Sequence, residues 1–376
     1  MQEGSSMKDI LGKIKFDPYI TILSFLILFS GFAIFFSSSL GVLVRYEAKF
    51  YNIIQNQLLF GILLGSLAFL LGTIIPNKFF KYTSILIYIV AIFLCILVFV
   101  PGIGFAHGGA RRWIEFFGIS FQPSEILKYA SVLLLSSYYS FYHKDFDDYR
   151  YRLIPVFLIA SFVFLVLRQP DLGTSTVILS GIFAVFLITN AKMKDILLIL
   201  LFSVPIFLGF YAYYPHAKER VNTFIFPEKN TTDQNYQANQ TKISLGAGGL
   251  FGDGYGKSIQ KFHNLPEPIG DSVFAVIGEE FGFVGSVVVL LTILTLCIRL
   301  IYLSYYIRDP YPKGILAGTA VIIMSQTFLN AGSVAGAIPF TGVPLPLISH
   351  GSTSIILTMG MLGLCAQLGA RKYLQS

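Results

Sequence analysis

Tyr19 to Leu40 reads YITILSFLILFSGFAIFFSSSL, twenty-two residues without one charged side chain. A hydrocarbon core about 30 Å thick takes about 20 apolar residues in a helix, so this stretch spans a bilayer. Lys8, Lys13 and Lys15 before it give the outline of a signal peptide. The run is too long for one, no small-residue cleavage site follows, and further spans come after, so it is retained. Outward from it the pattern recurs at about Ile53–Ile75, Thr83–Val100, Glu125–Tyr142, Leu153–Leu167, Leu172–Ile188, Ile196–Tyr213, Asp271–Tyr302, Gly314–Ala337 and His350–Ala370. The expected fold class is all-α: a polytopic integral membrane protein of about ten transmembrane helices, one domain over residues 1–376. One large loop interrupts it, at about residues 214–270.

Composition points the same way. Mean hydropathy is +0.70, and only 12% of residues are charged, about half the share of a soluble domain. Such a chain cannot cover a water-facing surface. The net charge of +7 is scattered between apolar runs rather than gathered on a soluble face, which excludes nucleic acid as a partner. Cys95, Cys297 and Cys365 each lie in an apolar stretch, spaced neither as a disulfide framework nor as metal ligands. No metal site or cofactor is read, and the sequence leaves open whether a divalent cation assists.

Orientation follows from Lys and Arg in alternate loops. Fifteen lie on the side of the N-terminus, against five in the short loops of the other side (Arg45, Lys49, Arg111, Arg112 and Arg168). Both termini are therefore expected in the cytoplasm. The cytoplasmic loops are plain, while the opposite ones carry the unusual sequence. These are Gly109-Ala-Arg-Arg-Trp-Ile114, Gln122-Pro-Ser-Glu125, Arg168-Gln-Pro-Asp171, and a long loop with six glycines between Gly246 and Gly256. That loop ends in Leu265-Pro-Glu-Pro-Ile-Gly-Asp271, and a last one reads Phe340-Thr-Gly-Val-Pro-Leu-Pro346. The Gly-rich stretch does not match a Walker A pattern and follows no predicted strand, so turns and close backbone approach explain it better than nucleotide binding.

Ionisable residues at membrane depth are costly and point to function. Glu125 and Lys128 are three apart on one helix face; Arg168 and Asp171 flank a hairpin; Asp271 opens the eighth span, with Glu279 and Glu280 about two turns on. Pairing that merely holds helices together is the alternative for Arg168 with Asp171 and for Glu279 and Glu280. It fits Asp271 poorly, because no basic residue follows on its helix before Arg299 and the neighbouring Gly and Pro residues leave its carboxylate approachable. Arg111 and Arg112, and the one tryptophan, Trp113, can equally be interfacial anchors. His350 reads as a helix-start hydrogen-bonding group rather than a metal ligand. Arg111, Arg112, Lys128 and Arg168 form a cationic set suited to a lipid pyrophosphate. A nearby carboxylate can serve as general base toward a sugar hydroxyl. These residues allow glycosyl transfer from a lipid carrier, or a transporter that binds an anion.

The motifs narrow that choice. Gly109 to Ile114, Gln122 to Lys128, Gln169-Pro-Asp-Leu-Gly-Thr174, the Gly-rich loop, Ser258 to Phe262, Leu265-Pro-Glu267, Ala275 to Glu280 and Val343 to Ser349 resemble, in order along nearly the whole chain, those of the SEDS family. SEDS stands for shape, elongation, division and sporulation, and the family includes RodA and FtsW. The resemblance implies ten transmembrane helices and a peptidoglycan glycosyltransferase that polymerises lipid II with release of undecaprenyl pyrophosphate. It implies Asp271 as general base, and Arg111, Arg112 and Lys128 as pyrophosphate ligands. Glu125 and Asp171 would shape the cavity, with Glu279 and Glu280 also at the substrate site and Trp113 against sugar or isoprenoid. The implied location is the bacterial cytoplasmic membrane, with the active site extracytoplasmic. Implied partners are a class B penicillin-binding protein and other divisome or elongasome proteins. Two departures stand out. Ile269, Gly270 and Ser272 replace the family's His-Thr and Phe around the aspartate, and Ser349-His-Gly-Ser-Thr353 replaces Ser-Tyr-Gly-Gly-Ser. Lys257 to Phe262 resembles the division branch, whereas Thr341 to Pro344 leans toward the elongation branch. A flippase and a non-catalytic scaffold are the competing readings; no internal repeat of the transporter kind is evident, nor a Ser-x-x-Lys transpeptidase motif in a soluble domain.

Overall fold

A computed structural model describes residues 16–107, 110–116, 119–145, 148–169, 171–190, 192–197, 201, 222, 224–225 and 233–370. The described helices are α1 (Pro18–Arg45), α2 (Glu47–Ile74), α3 (Asn77–Leu97), α4 (Pro123–Phe141), α5 (Tyr149–Arg168) and α6 (Leu172–Asn190). They continue with α7 (Asp233–Ala247), α8 (Gln260–His263), α9 (Val273–Tyr306), α10 (Pro310–Val334) and α11 (Ser352–Gly369). By length and composition, seven of them can cross a membrane among the described residues: α1, α2, α3, α6, α9, α10 and α11. α4 stands outside that set because it carries Glu125, Lys128 and five serines. The expected span at Ile196–Tyr213 lies almost wholly outside the described residues.

Helix starts follow local chemistry. Asp17 and Asp309 each precede a proline and accept a backbone N–H at their helix N-terminus, from Ile20 and Tyr311. An acceptor at the N-cap with proline at N1 satisfies donors that would otherwise be orphaned. α10 is the hub of the bundle and packs on α4, α6 and α9, while α2 lies against α11 and α3 against α4. The α2–α11 contact is made by glycines. A Cβ at Gly72 would strike Gly360 O, and one at Gly363 would strike Phe69 O, so the backbones approach as small residues permit. Ion pairs tie the end of the bundle remote from the Asp271 turn: Arg299 to Asp17 at 2.6 Å and Arg152 to Asp195 at 2.7 Å.

Two features depart from plain helices. The segment after α3 forms a three-stranded antiparallel meander: β1 (Gly104–His107), β2 (Ala110–Phe116) and β3 (Ile119–Phe121). Trp113 pairs with Phe105 and Ile114 with Phe121, and Ile114 is turned into the protein. The expected eighth span is found as α9, but its helix is broken at Gly282, where φ is +67°. The stretch from Phe283 onward is itself long enough to span, so the nine residues before the break belong to a separate short segment that begins beside Asp271.

Candidate active site

The break at Gly282 explains the glycines of the long loop. With the helix interrupted, the carbonyls of Glu279 and Glu280 accept the N–H groups of Asp253 and Gly254, at 3.0 and 2.9 Å. Phe283 and Val284 donate in turn to Gly249 O and Leu250 O. Main chain lies directly on main chain, and a Cβ at Gly252 would collide with the carbonyl of Glu280. The side chains complete the fastening. Glu279 accepts from Ser244 Oγ (2.6 Å), Ser258 Oγ (2.7 Å), Ile259 N (2.7 Å) and Gln260 N (3.2 Å). Glu280 takes the Lys261 ammonium and Ser37 Oγ, with all three side chains buried. Both carboxylates are therefore engaged by the protein itself, and they clamp the loop to α1 and α9. Tyr255 adds a bond to Ala33 O at 2.8 Å. Desolvation, and then the nearby Glu280 carboxylate, raise its pKa above the ordinary phenol value, so it remains a donor.

The loop ends in the turn Leu265–Ser272, which delivers Asp271, half-buried, to the start of α9. Glu267 has φ +47°, in the left-handed region, and its carbonyl accepts from Gly270 N and Ser272 N. Around the turn, donors approach from three elements. Asn330 Nδ2 on α10 donates to Asp271 O at 2.9 Å; Ser349 Oγ donates to Gly270 O at 2.8 Å; His350 N donates to Ile269 O at 2.7 Å. Gln237 Nε2 on α7 reaches Ser272 Oγ at 3.3 Å. Of the substituted neighbours, Gly270 contributes through its backbone, whereas Ile269 also packs its side chain with Phe35 and Ile53 and Ser272 meets Gln237 through its hydroxyl. His350 stacks on Phe35 and meets Gln57 Oε1 through Nδ1, inside the π-helical turn Gln57–Leu63 of α2.

The Val343–Leu347 segment links this turn to the second group of charges. Asn330 Nδ2 also donates to Val343 O (2.7 Å), and Gln326 Nε2, one turn earlier on α10, donates to Pro344 O (3.1 Å). The Oε1 of Gln326 accepts from Lys128 Nζ at 3.1 Å, and Lys128 pairs with Glu125 at 2.7 Å. Lys128 has no exposed surface, so Glu125 balances its charge and Gln326 takes a further N–H of the ammonium.

A third group lies where the sheet meets α6. Asp171 caps α6 by accepting from Thr174 N and Thr174 Oγ1, and it also takes Gln122 Nε2 at 3.0 Å. Its ion-pair partner is Arg112, at 3.8 Å, and Arg112 Nε donates to Gln169 O as well. Arg168, the neighbour expected to share the hairpin with Asp171, is exposed and lies over the Phe164 ring instead. Arg111 is exposed on β2, and Trp113 is half-buried two residues on. Gly173 seats this group against the same connecting segment, since a Cβ there would meet the Val343 side chain. Among the described residues no three His, Cys, Asp or Glu side chains gather as a metal site.

Gln326, Asn330 and Gln237 were not singled out in the sequence, and Lys261 and Ser349 entered only as members of motifs, without a role of their own. Two amides four apart in an otherwise apolar span were the available signal for the first two. Gln237 carried none, because its partner Ser272 is distant in sequence.

A family model described as cell cycle protein, of FtsW, RodA and SpoVE, matches residues 18–373. The chain belongs to this family. The FtsW/RodA/SpoVE assignment is consistent with individual relatives. Stage V sporulation protein E of Bacillus subtilis is 31% identical over 92% of this chain and 95% of its own length. A probable peptidoglycan glycosyltransferase FtsW of Aliivibrio salmonicida is 31% identical over 92% and 86%. Among solved structures, a chain of a peptidoglycan synthase complex that coordinates polymerization and crosslinking superposes with a TM-score of 0.75 at 26% identity, covering 95% of this chain and 98% of that one. The rod shape determining protein RodA of Thermus thermophilus gives 0.67 at 26% identity, covering 96% and 99%. As a member of the FtsW/RodA/SpoVE family, with seven described helices able to span a bilayer, the chain is a multi-pass membrane protein.

Proposed function

We propose that this chain polymerises the glycan strands of peptidoglycan, using lipid II as donor, at the extracytoplasmic face of the bacterial cytoplasmic membrane. The observation that carries the reading is the Asp271 turn: its backbone is held from α10 and from the Ser349–His350 segment, and it is joined through one strap to a buried cation, Lys128. The names of the relatives support the same activity.

In this mechanism Asp271 accepts the proton of the GlcNAc 4-hydroxyl of the acceptor as its oxygen attacks the anomeric carbon of a MurNAc. The bond from that carbon to the pyrophosphate oxygen breaks, and undecaprenyl pyrophosphate leaves with both electrons. Attack opposite an α-linked leaving group inverts the centre and gives a β-1,4 linkage. Arg111 and Arg112, at the open edge, and Lys128, deeper in, supply charge for the leaving pyrophosphate. Glu125 and Asp171 orient those cations, and Trp113 offers a ring face to sugar or isoprenoid. Glu279 and Glu280 serve the site at one remove, by fixing the loop that ends in Asp271. Cross-linking falls to a partner, a class B penicillin-binding protein, and the synthase-complex neighbour supports that pairing.

The test is lipid II polymerisation by the purified chain with that partner, in penicillin, comparing wild type with Asp271→Asn. Wild type is expected to form glycan, and the variant to lose about 100-fold or more with its fold intact, as for removal of a general base. Full activity in the variant sinks Asp271 as base, and no glycan from wild type beside an active family member sinks the polymerase.

A further inference from the structure

Gln326 and Asn330 lie four residues apart in VIIMSQTFLN, Val321 to Asn330, so they share one face of α10 about 6 Å apart along its axis. Both are buried, at 2% and 1% exposure. An amide among apolar helices is costly unless its hydrogen bonds are made, and here the bonds made all lead to the candidate site. Gln326 holds the Lys128 ammonium with its oxygen and Pro344 O with its nitrogen. Asn330 spends both N–H groups on carbonyls, of Asp271 and Val343. Its Oδ1 is buried without a hydrogen-bond partner among the described residues, so what it donates sets its orientation.

We propose that Gln326 and Asn330 are positioning residues for the transfer, setting the Lys128 ammonium and the Asp271 backbone relative to one another from one rigid helix face. The proposal rests on the polymerase reading above. Val343 and Pro344 belong to irregular backbone sealed among helices, where carbonyls must find donors inside the protein. The two amides supply them, and through that strap the donor end and the acceptor end of the reaction are held in register. The two roles are separable. Asn330 acts on the base, so its effect belongs to the chemical step. Gln326 acts on a buried cation whose field reaches the pyrophosphate before and during transfer, so its effect belongs to binding.

The experiment uses the full chain with its transpeptidase partner, steady-state lipid II kinetics, and hydrogen exchange of the same preparations. Asn330→Asp keeps the size but turns acceptors toward two carbonyls. It is expected to lower kcat about tenfold or more, since misplacement by ~1 Å can cost ~100-fold, with KM for lipid II within about threefold. Exchange should rise in residues 265–272 while α4 and α6 keep their protection. Gln326→Met should instead raise KM more than it lowers kcat. If Asn330→Asp fails to fold, Asn330→Ser, which retains one donor, should show the same selective loss in kcat to a smaller degree. Kinetics within about twofold of wild type in both positions, well below the ~100-fold scale of misplacement, overturn the proposal. So does activity lost only together with protection in every helix. A wild type that forms no glycan counts against the polymerase reading instead, and the exchange pattern still reports whether Asn330 holds the Asp271 turn.

Discussion

A buried charge pair poses the sharpest question at the scale of single residues, because packing and chemistry make different claims on it. Lys128 and Glu125 balance one another inside the protein. Removing one partner leaves the other uncompensated, a loss of about 3–5 kcal/mol, whereas replacing both with apolar or neutral groups is often close to neutral. Lys128→Met alone should therefore unfold at clearly lower temperature in detergent, and Lys128→Met with Glu125→Gln should recover most of that loss. If Lys128 also serves the leaving group, the double variant stays inactive in lipid II polymerisation despite its recovered stability; wild-type rates would reduce the pair to a structural one. Glu280 and Lys261 provide the contrast. Lys261→Met should likewise destabilise the chain, and adding Glu280→Gln should restore both stability and at least about a third of activity, since this pair fastens a loop and its double neutral replacement costs little. Much of this was legible in the sequence, because intramembrane Glu125, Lys128, Asp171 and Asp271 stand out against their surroundings. What was not legible were the partners: Arg112 rather than Arg168 for Asp171, and Lys261 for Glu280, pairings that only tertiary packing brings about.

Elements show how a main-chain irregularity can organise a site. The break in α9 exists because Gly282 adopts φ +67°, and the loop docks there because Gly248 and Gly252 let backbone meet backbone. Gly282→Ala would pay for a left-handed conformation, of order 1–3 kcal/mol, and its Cβ would also run into Gly252 N. The expected outcome is loss of docking: limited proteolysis should cut between residues 248 and 259 in the variant but not in wild type, with the bundle helices uncut and polymerisation abolished. Resistance equal to wild type would mean that the docking does not depend on this geometry. Helices were the easy part of the sequence, since an apolar run of the right length has few alternatives in a bilayer. The sheet was hidden by its brevity. Alternation in Arg111-Arg-Trp-Ile-Glu115 is too short to separate from an interfacial loop, and only pairing with Phe105 and Phe121 on either side makes it a strand. Likewise, in the run from Asp271 to Tyr302 only its length and the pair Glu279 and Glu280 set the first turns apart, and neither located the break at Gly282.

For the whole molecule the decisive asymmetry is between the two ends of the bundle. One end is closed by ion pairs between helix termini, Arg299 with Asp17 and Arg152 with Asp195, and the other gathers the sheet, the docked loop, the Asp271 turn and the Val343–Leu347 strap. Lys and Arg are concentrated in the loops of the closed end. The positive-inside rule predicts that this end faces the cytoplasm, which would put the proposed reaction on the side on which peptidoglycan is built. A cysteine at exposed Arg111 should then react with a membrane-impermeant maleimide in intact spheroplasts, whereas one at half-buried Lys313 or exposed His143 should react only after permeabilisation. The wild-type cysteines provide no background, since Cys95, Cys297 and Cys365 are all buried. Labelling of the Lys313 position in sealed spheroplasts would invert the topology and place Asp271 in the cytoplasm. Lipid II displayed on the outer leaflet could not then be its substrate, and the polymerase reading would fall with the orientation.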